Sequence, residues 1–372
     1  MRPRVSFVVP CYRLGHFLGE CLDSVLAQTF NEFEVVVMDD CSPDNTPDVT
    51  RSYRDPRIRH VRNEVNLGHL KNYNKGISLC QGDYIWLVSA DDVLCKSHVL
   101  QQYVDIMDCS PNAAYVFCAG VEIGAAGSIR PARYTEIYRR NGIIDGVDLF
   151  SRLLYGNDIL ASAGMVRKTV YQRFGMFPND LPYAGDWYLW CLFAMHHDVA
   201  YLAEPMVGYR IHGDSMSDEF ARRNASACLR DELAVLTRLY KHADTYRRDL
   251  TPVIAGAIAY QCARQLSSRN YRGIHAQASI AELDKSLTDC GFRDVDRVRM
   301  WGRIHMSMGD QHFQRGDYVS SQECYRMALK QRFWTPGVLS KYLLLRGGRL
   351  GVAARRRLSP HPAISQTPDG QC

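Results

Sequence analysis

Residues 84–93 read YIWLVSADDV, an apolar run that ends on two adjacent carboxylates, Asp91 and Asp92. The apolar part consists of large or β-branched residues, which predicts a strand buried on both faces. Strands of this kind occur in parallel sheets covered by helices, and ligands of such sheets bind outside the carboxyl ends of the strands. The two acids are therefore expected to lie where the strand emerges into a binding crevice.

Strand and helix patterns alternate through the N-terminal half of the chain. Short β-rich runs predict strands at Val5–Val9, Glu34–Met38, Ile58–Val61, Tyr84–Val88 and Ala114–Cys118. Apolar residues at helical spacing predict helices at 14–26 and 70–79, and Thr46-Pro47 is typical of a helix N-terminus. The alternation predicts an α/β fold with a mostly parallel sheet and flanking helices.

Three predicted strand ends carry residues that a ligand can contact. They are Pro10-Cys11-Tyr12, Asp39-Asp40 and Ser89-Ala90-Asp91-Asp92. One pair of acids at a strand end is usually a hydrated surface, but two pairs on neighbouring strands of one sheet favour a binding site. Both interpretations stay open on these residues alone.

The type of ligand follows from motifs that the sequence lacks and from the charge of the acids. After the first strand the chain reads PCYRLG, which is not the G-x-G-x-x-G of a dinucleotide site, and no G-x-x-x-x-G-K-[ST] phosphate loop occurs. Carboxylates repel phosphate unless a divalent cation lies between them, and Mg²⁺ or Mn²⁺ is typically held by one or two carboxylates plus substrate phosphate oxygens. The acids therefore fit a metal-bound nucleoside diphosphate.

Composition limits the class of protein. The chain has 372 residues with 46% hydrophobic content, enough for one large or two ordinary globular domains. A net charge of +5 does not indicate a nucleic-acid partner, and 13 scattered cysteines without C-x-x-C pairs favour reduced thiols. No apolar run approaches the ~20 residues of a membrane span, and MRPR leads straight into a strand-like run. We therefore expect a cytoplasmic protein.

Three segments together resemble family 2 glycosyltransferases with the GT-A fold. They read VSFVVPCYRLGHFLGECLDSVLAQT (5–29), VVVMDDCSPDNT (35–46) and NLGHLKNYNKGISLCQGDYIWLVSADD (66–92). The resemblance extends over roughly residues 5–217 and implies a GT-A domain at 1–217, of the type that builds bacterial polysaccharides or cell-surface glycans. It further implies inverting transfer of a sugar from a nucleotide diphospho-sugar, which we expect to be UDP-linked.

The same resemblance implies roles for the donor-site residues. Pro10 and Tyr12 correspond to the loop that packs on the nucleotide base, and Asp39 or Asp40 to the acceptor of the base N–H. Lys71 lies in the segment that could offset diphosphate charge. Two alternatives stay open, since Tyr12 could be an ordinary loop aromatic and Lys71 a solvated helix lysine.

A metal site is implied on the fourth strand and near residue 212. The family often has D-A-D-D where this chain has Ser89-Ala90-Asp91-Asp92, so a serine replaces the first acid. Ser89 can still bind the ribose, and Asp91 and Asp92 can still ligate Mn²⁺ or Mg²⁺. The stretch MVGYRIHGDSMS (206–217) resembles the family's Y-R-x-H-x-x-S-x-S, which implies that Arg210 contacts phosphate and that His212 ligates metal or donates to phosphate.

The catalytic base is implied by a third motif. PYAGDWYLWCLFAMHHD (182–198) resembles the family's E-D-W segment, in which the aspartate, here Asp186, is the proposed base. Gly185 stands where the family has an additional acid, so a partner that would orient the base is missing. Asp186 could instead be the N-cap of the following helix. Trp187 could stack on an acceptor sugar or pack in the core.

The C-terminal third has a different pattern. Helical spacing predicts an all-α domain at 218–345, in which residues 308–330 resemble a tetratricopeptide-type hairpin, with a generic helical bundle as an equal alternative. Residues 346–372 are predicted to be a basic tail. Between Lys330 and Pro368 there are eight Lys or Arg residues and no acid, which favours contact with an anionic membrane at the inner face of the cell membrane. A solvated tail is the alternative.

Two functions from different classes fit the sequence. The first is an inverting glycosyltransferase that acts on a hydroxyl of a glycan or a lipid-linked saccharide, with Asp186 as base. The alternative is a degenerate glycosyltransferase-like binding or scaffold module, which the replacement of the first acid by Ser89 suggests. A nucleotidyltransferase is disfavoured, because the first strand is not followed by a glycine-rich, basic triphosphate loop.

Overall fold

A computed structural model describes residues 2–124, 127–213, 215, 225–266, 269–271, 274–276, 278–289, 292, 294–331, 333, 335–346 and 351–352. The chain divides into two compact units, Met1–Asp218 and Glu219–Cys372. The sequence-based division into domains at 1–217, 218–345 and 346–372 stays a prediction. Most of the predicted basic tail lies outside the described residues.

The first unit alternates strands and helices as the sequence predicts. Its strands are β1 (Val5–Cys11), β2 (Phe33–Asp39), β3 (Ile58–Arg62), β4 (Tyr84–Leu87), β5 (Val93–Leu94), β6 (Ala113–Ile123), β7 (Ile129–Pro131), β8 (Gly142–Ile144), β9 (Met165–Arg167) and β10 (Asp198–Arg210). Its helices are α1 (Gly15–Leu26), α2 (Thr46–Ser52), α3 (His69–Leu79), α4 (Val99–Cys109), α5 (Gly146–Leu153), α6 (Lys168–Phe174) and α7 (Gly185–Ala194). The α/β prediction is confirmed.

The ten strands form one mixed sheet in the order β3-β2-β1-β4-β9-β6-β10-β5, with β7 beside β6 and β8 beside β10. Strands β3, β2, β1 and β4 are parallel to one another, as expected. The short strand β9 runs antiparallel to both β4 and β6, so β6 and its parallel neighbour β10 point the same way as β4. The carboxyl ends of β1, β2, β4, β6 and β10 therefore share one edge of the sheet, where ligands of such sheets bind.

Most element boundaries differ from the sequence-based ones by one residue, and those of β1, β6 and α2 bear on the prediction. Strand β1, predicted to end at Val9, continues through Pro10 to Cys11, and the Pro10 carbonyl accepts a hydrogen bond from the Ala90 backbone N–H at 3.2 Å. Strand β6 is longer than predicted and ends at Ile123. Helix α2 already includes Thr46, so Asn45 is the capping residue. None of these shifts moves a predicted site residue away from its strand end.

An aromatic stack in the core fixes the turn at Ala161–Ala163 beneath the site. The Trp86 ring stacks between Phe7 and Tyr103, with ring centroids 5.3 and 4.5 Å away. Trp86 Nε1 donates to the Ser162 carbonyl at 2.8 Å, and the Tyr103 hydroxyl donates to the Ala163 carbonyl at 2.7 Å. Because buried Trp and Tyr polar groups need partners, the stack holds the backbone of this turn against β4.

The second unit is helical, apart from a short hairpin. Its elements are α8 (Ala225–Tyr246), α9 (Thr251–Leu266), β11 (Arg269–Tyr271), β12 (Ile274–Ala276), α10 (Ile280–Asp289), α11 (Asp294–Gln314), α12 (Tyr318–Lys330) and α13 (Pro336–Arg346). Helices α11 and α12 approach closely at Gly309, where a Cβ would lie 2.6 Å from the Tyr325 ring. The resemblance of this pair to a tetratricopeptide-type hairpin stays a prediction. No helix in the described part of the chain is long and apolar enough to cross a membrane.

A glycine at the start of α5 should be essential for stability. A Cβ on Gly146 would lie 1.9 Å from the His197 carbonyl oxygen and 2.3 Å from that of Ala194. We expect Gly146→Ala to lower the free energy of unfolding by about 3 kcal/mol in urea denaturation, because backbone must move to make room. Gly142→Ala is the control, since nothing lies within 4 Å of its Cβ position. Equal stability of the two variants would contradict the close packing of α5 on the end of α7.

Candidate active site

The predicted strand ends lie side by side in the structure. The Asp40 N–H donates to the Cys11 carbonyl at 2.9 Å, and the Asn63 N–H donates to the Asp39 carbonyl at 2.8 Å. The Ala90 N–H binds the Pro10 carbonyl on the other side of β1. The backbone therefore joins the ends of β1, β2 and β4 into one continuous rim.

Asp91 and His212 are 121 residues apart in sequence and meet at this rim. His212 Nε2 lies 3.0 Å from Asp91 Oδ2, and both side chains are largely buried. Asp91 Oδ1 is also buried, and no group of the described residues forms a hydrogen bond with it. Buried polar atoms are normally paired, so an orphaned carboxylate oxygen beside an imidazole is the kind of donor set that a divalent cation completes.

Asp92 has a different environment from its neighbour. The Ser162 hydroxyl donates to Asp92 Oδ2 at 2.5 Å, and the Arg210 backbone N–H donates to Oδ1 at 3.0 Å. Burial, followed by the charge of Asp91, raises the pKa of Asp92 well above its usual range. Because both oxygens already have partners, the predicted role of Asp92 as a metal ligand has less support than that of Asp91. Its hydrogen bond with the Arg210 N–H joins the end of β10 to the end of β4.

Ser89, which replaces the family's first acid, joins the same network. Its backbone N–H donates to the Ser162 hydroxyl oxygen at 3.1 Å, while the Ser89 side chain is partly exposed toward the rim. Ser162 therefore bridges Ser89 and Asp92. The role of Ser162 could not be predicted from the sequence, because it lies 73 residues after Ser89 in a short turn without a motif.

Arg210 is held by two groups that sequence reasoning missed. Its guanidinium lies 4.7 Å from the Phe17 ring centroid, and its Nη2 donates to Glu20 Oε2 at 2.6 Å. Its Nε donates to the Asp91 carbonyl at 2.9 Å. The Phe17 ring also contacts the His212 ring at a centroid distance of 5.0 Å. Helix α1 thus places both Arg210 and His212 beside Asp91.

Asp39 is completely buried and has cationic partners. Its carboxylate accepts from the Ser42 N–H at 2.7 Å and from Arg62 Nη1 at 2.6 Å, and His60 Nε2 lies 3.3 Å away. These contacts balance the negative charge without water. A direct hydrogen bond from Asp39 to a nucleotide base stays a prediction.

Asp40 organises the loop that leads into α3. Its carboxylate accepts from Asn63 Nδ2 at 2.7 Å, from the Leu67 N–H at 2.8 Å and from the Gly68 N–H at 3.0 Å. Gly68 has a φ of +80°, which favours glycine at this position. Asp40 therefore fixes the start of α3, and its contact with a base also stays a prediction.

The remaining donor-site candidates, Tyr12, Pro10 and Lys71, differ in exposure. Tyr12 is 40% exposed, and the Arg13 guanidinium lies 5.3 Å from its ring centroid. Pro10 is buried within β1 beneath this loop. Lys71 is exposed on α3 and makes no ion pair with the described residues. An exposed aromatic ring beside a strand end remains available for stacking on a base.

Asp186 lies in the first turn of α7 but does not cap it. The helix begins at Gly185 with Ala184 as the capping residue, so the N-cap alternative is wrong. Asp186 Oδ1 accepts from the Trp187 N–H at 2.7 Å, and Oδ2 accepts from Asn157 Nδ2 at 2.9 Å. Burial raises the pKa of Asp186 to about 6, against the opposing effect of these hydrogen bonds. Such a carboxyl group can accept a proton near neutral pH.

Trp187 belongs to the core, in agreement with the second of its two alternatives. Its ring is 4% exposed, and its Nε1 donates to the Leu153 carbonyl at 2.7 Å. It therefore joins α7 to the end of α5 and is not available for stacking on a sugar. Asn157 lies four residues after Leu153, in the loop that follows α5.

Burial, followed by the charges of Asp91, Asp186 and Asp92, raises the pKa of the Tyr73 hydroxyl on α3. Within the described residues no three metal-ligating side chains come together, so any cation here would need further ligands from a substrate.

Comparison with known proteins agrees with this geometry. The family model described as Glycosyl transferase family 2 matches residues 6–167, from the second residue of β1 to the end of β9. Residues 6–167 therefore form a glycosyltransferase family 2 domain. An uncharacterized glycosyltransferase of Haemophilus influenzae is 28% identical over 225 residues, which are 59% of this chain and 68% of that protein. One of Rickettsia typhi is 26% identical over 213 residues, 56% of this chain and 64% of that protein.

Solved structures show the same fold. TarS of S. aureus, residues 1–349 in complex with UDP-GlcNAc, gives a TM-score of 0.57 at 18% identity, covering 88% of this chain and 91% of that one. The mannosyltransferase PcManGT of Pyrobaculum calidifontis, in complex with GDP-Man and Mn²⁺, gives 0.50 at 17% identity, covering 96% and 88%. The predicted GT-A fold is confirmed, and the helical region after it is confirmed as well.

Ser162 should stabilise the transferase domain through the two groups that it bridges. We expect Ser162→Ala to lower the free energy of unfolding by about 2 to 3 kcal/mol, because it leaves Oδ2 of the buried Asp92 and the Ser89 N–H without a partner. Ser78→Ala is the matched control, since that hydroxyl donates to the Lys75 carbonyl at the surface. Denaturation by urea measures both. A loss no larger than that of the control would contradict the bridging role.

Proposed function

We propose that this protein is an inverting glycosyltransferase that moves a sugar from a nucleotide diphospho-sugar, with UDP as the expected nucleotide, to a hydroxyl of a glycan or a lipid-linked saccharide. The observation that carries the proposal is the buried Asp186, whose pKa is raised to about 6, in a domain that also pairs Asp91 with His212 at the end of β4. A proton acceptor and a cation-binding pair are the two groups that such a transfer requires.

The choice of donor rests on the family and on the ligands of structural neighbours. TarS was solved with UDP and with UDP-GlcNAc, and PcManGT with GDP-Man. A nucleotide diphospho-sugar is common to these complexes. The exposed Tyr12 and the buried acids Asp39 and Asp40 lie at the rim where a base would bind, and we expect uracil there.

A divalent cation, Mn²⁺ or Mg²⁺, fits the residues at the rim. Asp91, with its unpaired Oδ1, and His212 would hold it together with oxygens of the donor diphosphate. When bound, the cation would neutralise charge on the leaving diphosphate. Asp92 is the weaker ligand candidate because its oxygens are occupied. Arg210 lies beside Asp91 and is proposed to contact phosphate.

Asp186 is proposed to act as the base. Its carboxylate takes the proton of the acceptor hydroxyl while the hydroxyl oxygen bonds to the anomeric carbon, and the bond from that carbon to the diphosphate breaks on the opposite face. Asn157 holds Oδ2, which orients the carboxyl group where the family has an acid at the position of Gly185. Lys71 is exposed on α3 and is proposed to offset diphosphate charge.

The alternative of a degenerate binding or scaffold module rests on Ser89 in place of the first acid. Peripheral contact with an anionic membrane at the inner face of the cell membrane rests on the basic composition of residues 346–372. A role in polysaccharide biosynthesis and a cytoplasmic location likewise stay proposals. The activity of Asp186→Asn and the Mn²⁺ dependence of UDP binding, described below, separate the enzyme from the scaffold.

Loss of the base should stop transfer but not donor binding. We expect Asp186→Asn to lower kcat at least ~10³-fold, because general base catalysis contributes about 10² to 10⁴. The Kd for UDP, measured by calorimetry, should stay the same. In the unchanged protein the rate should fall below about pH 6, since protonated Asp186 cannot accept a proton. Normal turnover of the variant would rule out Asp186 as the base.

Asn157 gives a second variant that keeps the base in place. Its amide stabilises the charged form of Asp186, so Asn157→Ala should raise the pKa and move the acid limb of the pH–rate profile upward. Asn31→Ala is the control, because that amide binds the Thr29 carbonyl at the surface. An unmoved acid limb would show that the limb reports another group.

Cation binding should be linked to UDP binding. We expect calorimetry to give a Kd for UDP about tenfold or more lower with Mn²⁺ than with EDTA, because Asp91 would hold a cation that neutralises charge on the diphosphate. Asp91→Asn should abolish the difference, and Asp48→Asn, a surface change on α2, should keep it. An affinity for UDP that does not depend on Mn²⁺ would favour the scaffold alternative.

A further inference from the structure

Glu20 on α1 is joined to the candidate active site by an ion pair with Arg210. Its Oε2 accepts from Arg210 Nη2 at 2.6 Å. The Glu20 side chain is 60% exposed, whereas that of Arg210 is 8% exposed. Ion pairs that water reaches contribute little to stability, so stability alone does not account for this contact. Its consequence lies in where it holds the Arg210 guanidinium.

Other contacts already place Arg210 next to the proposed cation ligand. The Arg210 backbone N–H donates to Asp92 Oδ1 at 3.0 Å, and the guanidinium lies 4.7 Å from the Phe17 ring centroid. Arg210 Nε donates to the Asp91 carbonyl at 2.9 Å. These contacts hold the guanidinium beside the residue that carries the unpaired carboxylate oxygen, and Glu20 takes part in none of them.

The Asp91 carboxylate and the neighbouring guanidinium do not pair. Asp91 Oδ2 lies 3.0 Å from His212 Nε2, and no described residue forms a hydrogen bond with the buried Oδ1. Among the described residues Arg210 forms an ion pair with Glu20 and none with Asp91. Guanidinium and carboxylate groups otherwise form short, bidentate pairs. A guanidinium bound to Oδ1 would occupy the position that a cation needs.

We propose that Glu20 is a positioning residue that keeps Arg210 off the Asp91 carboxylate, so that Oδ1 stays available to a divalent cation. The inference rests on the proposed cation site and goes beyond it by naming the group that keeps the site open. Without the Glu20 carboxylate, Arg210 Nη2 loses its acceptor, and the residue that Nε already contacts offers an unpaired one. The pair formed there would exclude the cation.

The test measures how strongly Mn²⁺ and UDP binding are linked in the full chain. Calorimetry gives the Kd for UDP with EDTA and with Mn²⁺, and the ratio of the two needs no turnover. We expect Glu20→Ala to lower this ratio from about tenfold to about threefold or less. Glu32→Ala is the matched control and should keep the ratio. Glu32 is an exposed glutamate just before β2, at the opposite end of that strand from Asp39.

A double-mutant cycle separates an effect through Arg210 from a direct effect of charge. In an Arg210→Met background the guanidinium is absent, so Glu20→Ala should leave the ratio unchanged. Titration with Mn²⁺ alone, followed by electron paramagnetic resonance, repeats the cycle for a variant that binds UDP weakly.

The same loss in both backgrounds would overturn the inference, and so would an unchanged ratio in Glu20→Ala alone. Either result leaves the cation site itself intact. If UDP binding by the unchanged protein does not depend on Mn²⁺, the proposed cation site fails, and the inference fails with it.

Discussion

The carboxyl group of Asp92 is the group on which the geometry of the site depends. One oxygen pairs with the Ser162 hydroxyl and the other accepts from the Arg210 backbone, so a single buried side chain joins the end of β4, the turn at Ala161–Ala163 and the end of β10. A buried carboxyl group is costly unless it is hydrogen-bonded, and a turn or strand that moves would leave it unpaired. The position of His212, two residues beyond Arg210, is set by this constraint.

The parts of the structure that the sequence predicts are those encoded locally. Short apolar, β-rich runs predicted β1, β2 and β4. The sequence also placed Asp91 at a strand end and Asp186 near a helix start. The short antiparallel strands β5, β7, β8 and β9 escaped, because two or three residues carry no periodicity and are paired by tertiary contacts. The sheet is therefore more mixed than the alternation of strands and helices suggests.

The partners of the predicted residues could not be read from the sequence, for a similar reason. Glu20 reaches Arg210 across 190 residues, and Asn157 reaches Asp186 across 29. Each is a common polar residue without a motif, and its role arises only when the sheet brings distant loops to one edge. Asp186 receives its side-chain hydrogen bond from Asn157 in the loop after α5, whereas Gly185, the preceding residue, has no side chain to offer one.

Two adjacent acids of one turn thus have opposite roles. Both oxygens of Asp92 are hydrogen-bonded and join β4, β10 and the turn at Ala161–Ala163. Asp91 has a buried oxygen that no described residue pairs with. An unpaired buried oxygen costs about 1 to 3 kcal/mol, which selection on stability alone would remove by supplying a donor. Strain of this kind concentrates at functional sites, where a ligand provides the missing contact. The same reasoning applies to Asp186, because burial that raises its pKa disfavours the charged form and prepares the group to accept a proton.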